Sequence, residues 1–385
     1  MNPSKRISIV GWGSASALGH NAEDIWQAYS LPNTAINHHE GDWVARLPSS
    51  TEARLQALSQ QEKGYQRLDR SVLLAMLAGE QALKQSGWAQ QKIECGLYLG
   101  SSRGATGSWE AYFQQFLDQK ERLSPQSSPL TTAGNLATHT AQHLGLYGFT
   151  SDNSITCSTA LHALANAVVW LESGRYKHFL AGGTEAPLTP FTLAQMNALK
   201  IYAQLSDTPY PSRSLDLNKT DNTMVLGEGS ALFALEADAT NPLAQIAGLG
   251  YAREDTATLT AVSKNGLALQ KAMRQALSET KLKTVDVVIC HSPGTRLGDL
   301  SEWRAIRSVF GENMPSLTSN KWKLGHTLGA SGGLSLELAL LLLEHQTFVP
   351  IPYLTPTTPP KNIRSIMVNA LGFGGNAISL IITKP

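Results

Sequence analysis

Short apolar runs, often β-branched, recur at residues 7–10, 97–99, 178–181, 231–235, 285–289 and 377–382, and each reads as a buried strand. Longer stretches with helical periodicity lie between them. Residues 70–86 place Leu73, Leu77 and Leu83 on roughly one face, and Gly87 stops the helix. Residues 159–172, followed by Gly174, and residues 332–344 are apolar on most faces, as helices inside a large core are. Strands alternating with such helices predict an α/β or layered α/β/α protein. The most apolar stretch, residues 334–343, is interrupted by Glu337 and ends at Glu344 and His345. It falls short of the roughly 20 apolar residues of a membrane-spanning helix and predicts a core helix instead.

A weak internal echo is present. Ile7-Ser8-Ile9-Val10-Gly11-Trp12-Gly13 opens the chain, and Ile246-Ala247-Gly248-Leu249-Gly250 opens a second stretch of similar character. The pair suits two similar lobes joined near Asn241-Pro242. Residues 205–214 and 350–360 are loops by their proline, serine and threonine content.

Composition narrows the class. With 385 residues, 42% hydrophobic and 16% charged, the chain can bury a large core and is not intrinsically disordered. Length alone allows two to three domains. Lysine and arginine exceed aspartate and glutamate by one, so no overall charge points to nucleic acid or a membrane surface, although a local basic patch stays compatible. Three cysteines exclude a disulfide scaffold and suit a reducing compartment. The N-terminal stretch reads as a strand and turn, not a signal peptide. A soluble cytoplasmic protein is expected.

Candidate chemistry centres on Cys157, where an extended stretch becomes an apolar helix. Unpaired N–H groups of a first helical turn favour an anion and can acidify a thiol there. A buried inert cysteine is the alternative. Cys95 and Cys290 sit in strand-like runs and read as inert. His291 follows the 285–289 strand at the head of a Gly/Pro loop, and His326 lies in the glycine-rich segment 321–332. Each also has a non-catalytic explanation. A cysteine with two loop histidines suggests thiol chemistry at an acyl carbonyl. Metal binding is disfavoured, because the ligands are far apart and show no short metal-binding spacing. Residues 369–376 form a glycine-rich turn that either delivers a backbone N–H into a site or simply joins two strands.

As an ordered set, these four segments resemble the β-ketoacyl synthase family, the condensing enzymes of fatty acid and polyketide synthesis, in its elongating Cys-His-His type. The resemblance spans almost the whole chain. It implies a thiolase-like fold, two related lobes in a five-layered α-β-α-β-α arrangement, here residues 1–241 and 242–385, with a dimer as the usual unit. It implies that Cys157 carries the acyl chain and that His291 and His326 support decarboxylation of a malonyl thioester. Lys321 would organise this region, with Glu228 of Gly227-Glu228-Gly229, also read as a catalytic-site residue, a buried partner in the polar network near that lysine. Phe373 would gate the site, its N–H forming an oxyanion hole with that of Cys157. Thr295 would meet the phosphopantetheine arm of an acyl carrier protein, the implied partner, and the enzyme itself would hold no cofactor or metal. Asp299 and Glu302 match acidic positions after that loop, either as contacts or as loop and helix caps. Phe191, Leu193 and Met196 fall near the acyl tunnel or pack at an interface.

The chain departs from the family pattern in places. Pro293 stands where the first of two pantetheine threonines is usual, Arg213-Ser214-Leu215-Asp216 replaces R-P-F-D, and Lys219 stands where arginine is frequent. The Gly372-Phe373-Gly374-Gly375-Asn376 turn is one residue short. The chain is also somewhat short for the family, and the trimming is expected in surface loops such as residues 32–50. Two readings stay open. One is an active condensing subunit, a homodimer or half of a heterodimer, in fatty acid, polyketide or aryl polyene synthesis. The other is a chain-length-factor-like partner that shapes the acyl tunnel. A thiolase fits less well, since no cysteine follows Cys290.

Overall fold

A computed structural model describes residues 5–89, 93–119, 122–355 and 358–385. The first four residues of the N-terminal stretch, and residues 356 and 357 of the 350–360 loop, lie outside them. Ten strands form one mixed sheet: β1 (Ile7–Ser16), β2 (Cys95–Gly100), β3 (Thr150–Asn153), β4 (His178–Glu185), β5 (Gly229–Ala237), β6 (Ala244–Arg253), β7 (Val287–Ile289), β8 (Ser316–Thr318), β9 (Ser365–Gly372) and β10 (Asn376–Thr383). Their order is β3-β2-β4-β5-β1-β6-β10-β9-β7-β8. The helices that matter here are α1 (Arg70–Gln85), α2 (Thr106–Gln119), α3 (Thr159–Glu172), α4 (Pro190–Ala198), α5 (Leu267–Ser278), α6 (Arg296–Phe310) and α7 (Ser331–His345).

The sheet repeats itself. In the first half β2 runs parallel to β3 and β4, while β5 is antiparallel to both β4 and β1. In the second half β7 runs parallel to β8 and β9, while β10 is antiparallel to both β9 and β6. The halves meet through β1 and β6, at the pairs Ser8–Gln245 and Ile9–Ala244. The weak sequence echo of residues 7–13 and 246–250 thus falls on the two equivalent strands.

Both faces of each half are covered, and the strand alternation shows it. Along β4 and β5, Leu180, Leu232 and Ala234 turn to α1, while Phe179, Ala181, Phe233 and Leu235 turn to the central layer. Along β7, β9 and β10, Val288, Met367 and Ile381 turn to α5, and their neighbours Val287, Val368 and Leu380 turn inward. The central layer is α3 beside α7. Sheet on both sides explains why these two helices are apolar almost all round, and every residue of α7 from Ser331 to Leu343 is buried. The two helices come together at Gly332, where an added Cβ would lie 2.7 Å from the Leu161 side chain. The result is the layered α/β architecture of the thiolase-like fold.

The 32–50 stretch is more regular than the surface loop expected of it. Asn37–His39 and Asp42–Ala45 form a hairpin whose second strand pairs with Leu226–Gly227. Ile36, Val44 and Ala45 are buried. Just before the hairpin, the buried Lys323 donates to the carbonyls of Leu31 and Asn33, both at 2.6 Å. A buried ammonium needs such acceptors, and they tie this stretch to the helical turn that carries Lys321. Among the described residues no helix is long and apolar enough to cross a membrane.

Candidate active site

A cavity of about 600 Å³ opens between the two halves, and Cys157, His291, Pro293, Thr295, His326 and Phe373 all line it. Cys157 sits in the turn that leads into α3. Thr156 before it holds a left-handed φ of 48°, a strained conformation for a β-branched residue. The Thr159 side chain stabilises that turn: its hydroxyl accepts from Ile155 N at 2.8 Å and donates to the Thr156 carbonyl at 2.5 Å. The glycine-rich turn after β9 presses directly on it. A Cβ on Gly372 would lie 2.0 Å from Thr156 Oγ1 and 2.9 Å from the Ile155 carbonyl, so only glycine fits. Thr156 Oγ1 donates to the Phe373 carbonyl at 3.4 Å.

The two histidines arrive on different loops and meet with ring centroids 5.3 Å apart and planes at 82°. Glu302, on α6, fixes the first. Its carboxylate accepts from His291 N at 2.9 Å, from Ser292 N at 2.7 Å and from Ser292 Oγ at 2.9 Å. Asn369 Nδ2 donates to the same carboxylate at 3.2 Å. His326 is fixed by its backbone, which donates to the Val225 carbonyl at 2.6 Å and accepts from Gly227 N at 3.1 Å. Its Nδ1 is buried and has no hydrogen-bond partner among the described residues.

Charge in this enclosure is decided by burial. Desolvation, then the Lys321 ammonium, push both imidazoles well below the ordinary histidine value, so both are neutral at pH 7. Burial also lowers Lys321 to about 8, opposed first by Glu302. Cys157 corrects the expectation of an acidified thiol. Burial, reinforced by the Glu185 carboxylate, pushes it up to about 12 against the pull of Lys321. Apolar enclosure and the Glu185 charge outweigh the pull of Lys321, and the resting group is a neutral thiol. Around it pack Met196, Tyr202, Met224, Leu226 and Leu328, with Leu193 at the edge.

Glu228 is a second correction. It does not join Lys321. Arg70 holds its carboxylate through Nε at 2.5 Å and Nη2 at 3.0 Å, and Leu47 N donates to it at 3.3 Å. Arg70 bridges onward to Glu52 at 2.6 Å. Glu228 lines a different cavity, with Asp69 and Arg46. The carboxylate that Lys321 feels first is Glu302.

Asp299 serves as a brace. It accepts from Gly294 N at 3.1 Å and Leu215 N at 2.9 Å, and forms a buried ion pair with Lys219 at 2.6 Å. Ser214 Oγ donates to the Ser292 carbonyl at 2.6 Å. The departures at 213–219 therefore sit against the Pro293 loop and support it. Thr295 stands at the N-terminus of α6 and lines the cavity. Phe191 lies apart from Met196 and Leu193, exposed beside Trp109 and Phe113 on a neighbouring pocket.

Two residues escaped the sequence reading. Glu185, fully buried at the end of β4, accepts from Ser101 Oγ at 3.0 Å, Ser102 N at 2.9 Å, Arg103 N at 3.1 Å and Gly329 N at 2.9 Å. It clamps the turn after β2 to the His326 loop. A carboxylate closing an apolar strand was the available signal. The other is Arg103, which lines the cavity beside Cys157.

The sequence profile described as β-ketoacyl synthase, N-terminal domain, matches residues 4–241, and that described as the C-terminal domain matches residues 243–355. The chain is 26% identical over 425 residues to 3-oxoacyl-[acyl-carrier-protein] synthase 2 of Staphylococcus aureus, covering 100% of this chain and 99% of that protein. Among solved structures, the ishigamide ketosynthase/chain length factor superposes with a TM-score of 0.87 at 21% identity over 100% of both chains. A type II polyketide ketosynthase, bound to its acyl-carrier protein and a hexaketide, superposes with a TM-score of 0.86 at 19% identity over 100% of both chains.

Proposed function

The chain belongs to the β-ketoacyl synthase family of condensing enzymes, and we propose that it joins an acyl group held on Cys157 to a malonyl unit carried by an acyl carrier protein. The convergence of Cys157, His291 and His326 on one cavity carries this reading. The thiol is neutral at rest, so acylation begins with its proton passing to a neutral imidazole as sulfur attacks the acyl thioester. The carrier's thiol leaves with that proton, and acyl-S-Cys157 remains. The malonyl thioester then loses carbon dioxide, and its electron pair becomes an enolate. Two neutral imidazoles facing the thioester oxygen donate hydrogen bonds to it, and Lys321 adds positive charge nearby. The enolate carbon attacks the acyl carbonyl, whose oxygen the N–H groups of Cys157 and Phe373 receive. Collapse gives the 3-oxoacyl thioester and returns the cysteine sulfur as a thiolate, which takes a proton from solvent.

Glu302 and Asp299 act here as positioning residues for the His291 turn and the arm-binding loop. Glu228 is read as a structural carboxylate. Thr295 is the remaining threonine for the pantetheine arm. The repeated sheet order supports residues 1–241 and 242–385 as two lobes of one unit. A homodimer or a heterodimer with a related ketosynthase subunit is the proposed assembly. The test is mass spectrometry of the protein after incubation with acyl-carrier protein. An acyl adduct on Cys157, and loss of 3-oxoacyl-carrier protein formation in Cys157→Ala, are expected.

A chain-length-factor-like role is the second reading, favoured by Pro293, which removes both a hydroxyl and an N–H from the arm-binding loop. Activity that requires a second ketosynthase subunit and survives Cys157→Ala in this chain would establish it.

A further inference from the structure

We propose that Arg103 makes this site select acyl chains that carry an oxygen acceptor, a carbonyl or carboxylate, over plain hydrocarbon chains. The proposal rests on the acyl-transfer reading above and deepens it. Arg103 belongs to the turn after β2, whose backbone Glu185 holds through Ser102 N and Arg103 N. Its guanidinium therefore projects from a fixed base. It lines the cavity together with Cys157 and Met196. On its other side it lines the smaller pocket of Trp109, Phe113 and Phe191. It thus stands in the wall between the nucleophile's cavity and an aromatic surface.

The guanidinium is under-satisfied for such a place. Nη2 donates to Gln195 Oε1 on α4 at 2.6 Å. Nε is buried with no partner, and no carboxylate lies within ion-pair distance among the described residues. Buried donors are normally paired, and a cation in a partly apolar wall is costly unless something answers it. A saturated chain passing this wall would desolvate the guanidinium and return nothing. A chain with an oxygen there would accept a charge-assisted hydrogen bond. Arg103 is tied to Gln195, the residue before Met196, and Pro293 belongs to the loop read above as arm-binding, so the oxygen expected is on the acyl chain, not on the pantetheine arm.

The experiment measures the rate of Cys157 acylation by mass spectrometry, with octanoyl, 5-oxooctanoyl and carboxylate-ended suberyl thioesters of the carrier protein. Wild-type protein should load at least one oxygenated chain about tenfold faster than the octanoyl chain, the ordinary scale of a hydrogen bond to a charged group. Arg103→Leu should speed octanoyl loading and slow oxygenated loading, and Arg103→Lys should keep part of the preference. Preference for one oxygenated chain over the other identifies the acceptor as ketone or carboxylate, and either result supports the proposal. Equal loading of all three by wild type, or an octanoyl preference, overturns it while leaving the acyl-transfer reading intact. The wild-type comparison needs no variant to fold. Failure of all three to load Cys157 overturns both readings.

Discussion

On the proposed reaction, Cys157 must change protonation state to react, and its surroundings say how. With the thiol raised to about 12 by burial, attack depends on a neighbouring base and not on a standing thiolate. Cys157→Ala should lower condensation by about a thousandfold or more, read as formation of the 3-oxoacyl-carrier protein. Glu302 sits one step back. Replacing it by glutamine turns an acceptor of three donors from residues 291 and 292 into a group that can no longer accept them all. Glu302→Gln should reduce kcat about 10- to 100-fold with little change in KM, since the His291 turn and not the substrate loses its support. Lys321, lowered to about 8, is charged below that pH and neutral above it. Its charge favours the departing thiol proton, so kcat/KM should fall as pH rises through about 8, and Lys321→Met should remove that limb. That Cys157, His291 and His326 belong to one site was legible in sequence, because cysteine and histidine are conspicuous outside regular elements, and the structure brings the three to one cavity. Glu228 misled because a glutamate between two glycines reveals nothing of the face it turns to.

Among the elements, α7 is the most constrained. It carries Glu337 in a fully buried position, with Tyr29 Oη donating to it at 3.3 Å and its Oε2 unpartnered among the described residues. Burial raises this carboxyl from its ordinary 4.5 to about 7. The unfolded chain ionises it near 4.5 and the folded chain only near 7, so folding stability falls as pH rises between the two values. Above that window the penalty is constant. Glu337→Gln should therefore raise Tm at pH 8 and leave it almost unchanged at pH 4.5, with a ceiling of about 3 kcal/mol. Thermal unfolding at the two pH values checks this. At the end of β9, Gly372→Ala must push the Phe373 turn away from Thr156. Condensation should drop about tenfold or more while Tm changes by a few degrees, since the displaced backbone is a loop beside the site.

At the scale of the molecule, the two halves share a sheet through very few pairs but share the central helix layer extensively. Residues 1–241 expressed alone would expose the α3 face that α7 covers, including Leu161 and Leu164. That fragment should be insoluble or molten by circular dichroism, and co-expression with residues 242–385 should recover soluble protein. Cooperative folding of the isolated first half would contradict this. The cavity has the same origin, because Cys157 comes from one half and both histidines from the other.

Sequence alone determined six of the ten strands, the apolar helices and the chemical inventory, because periodicity and residue type are local properties. It determined α3 at residues 159–172 and showed that α7 was a core helix, since a helix apolar on most faces has few places to lie. Only the tertiary structure decided which charges face one another. It set Glu302 and not Glu228 against Lys321, raised the Cys157 thiol instead of lowering it, and put Arg103 in the wall of the cavity. Those outcomes depend on distance and burial between residues far apart in the chain, and no local pattern encodes either.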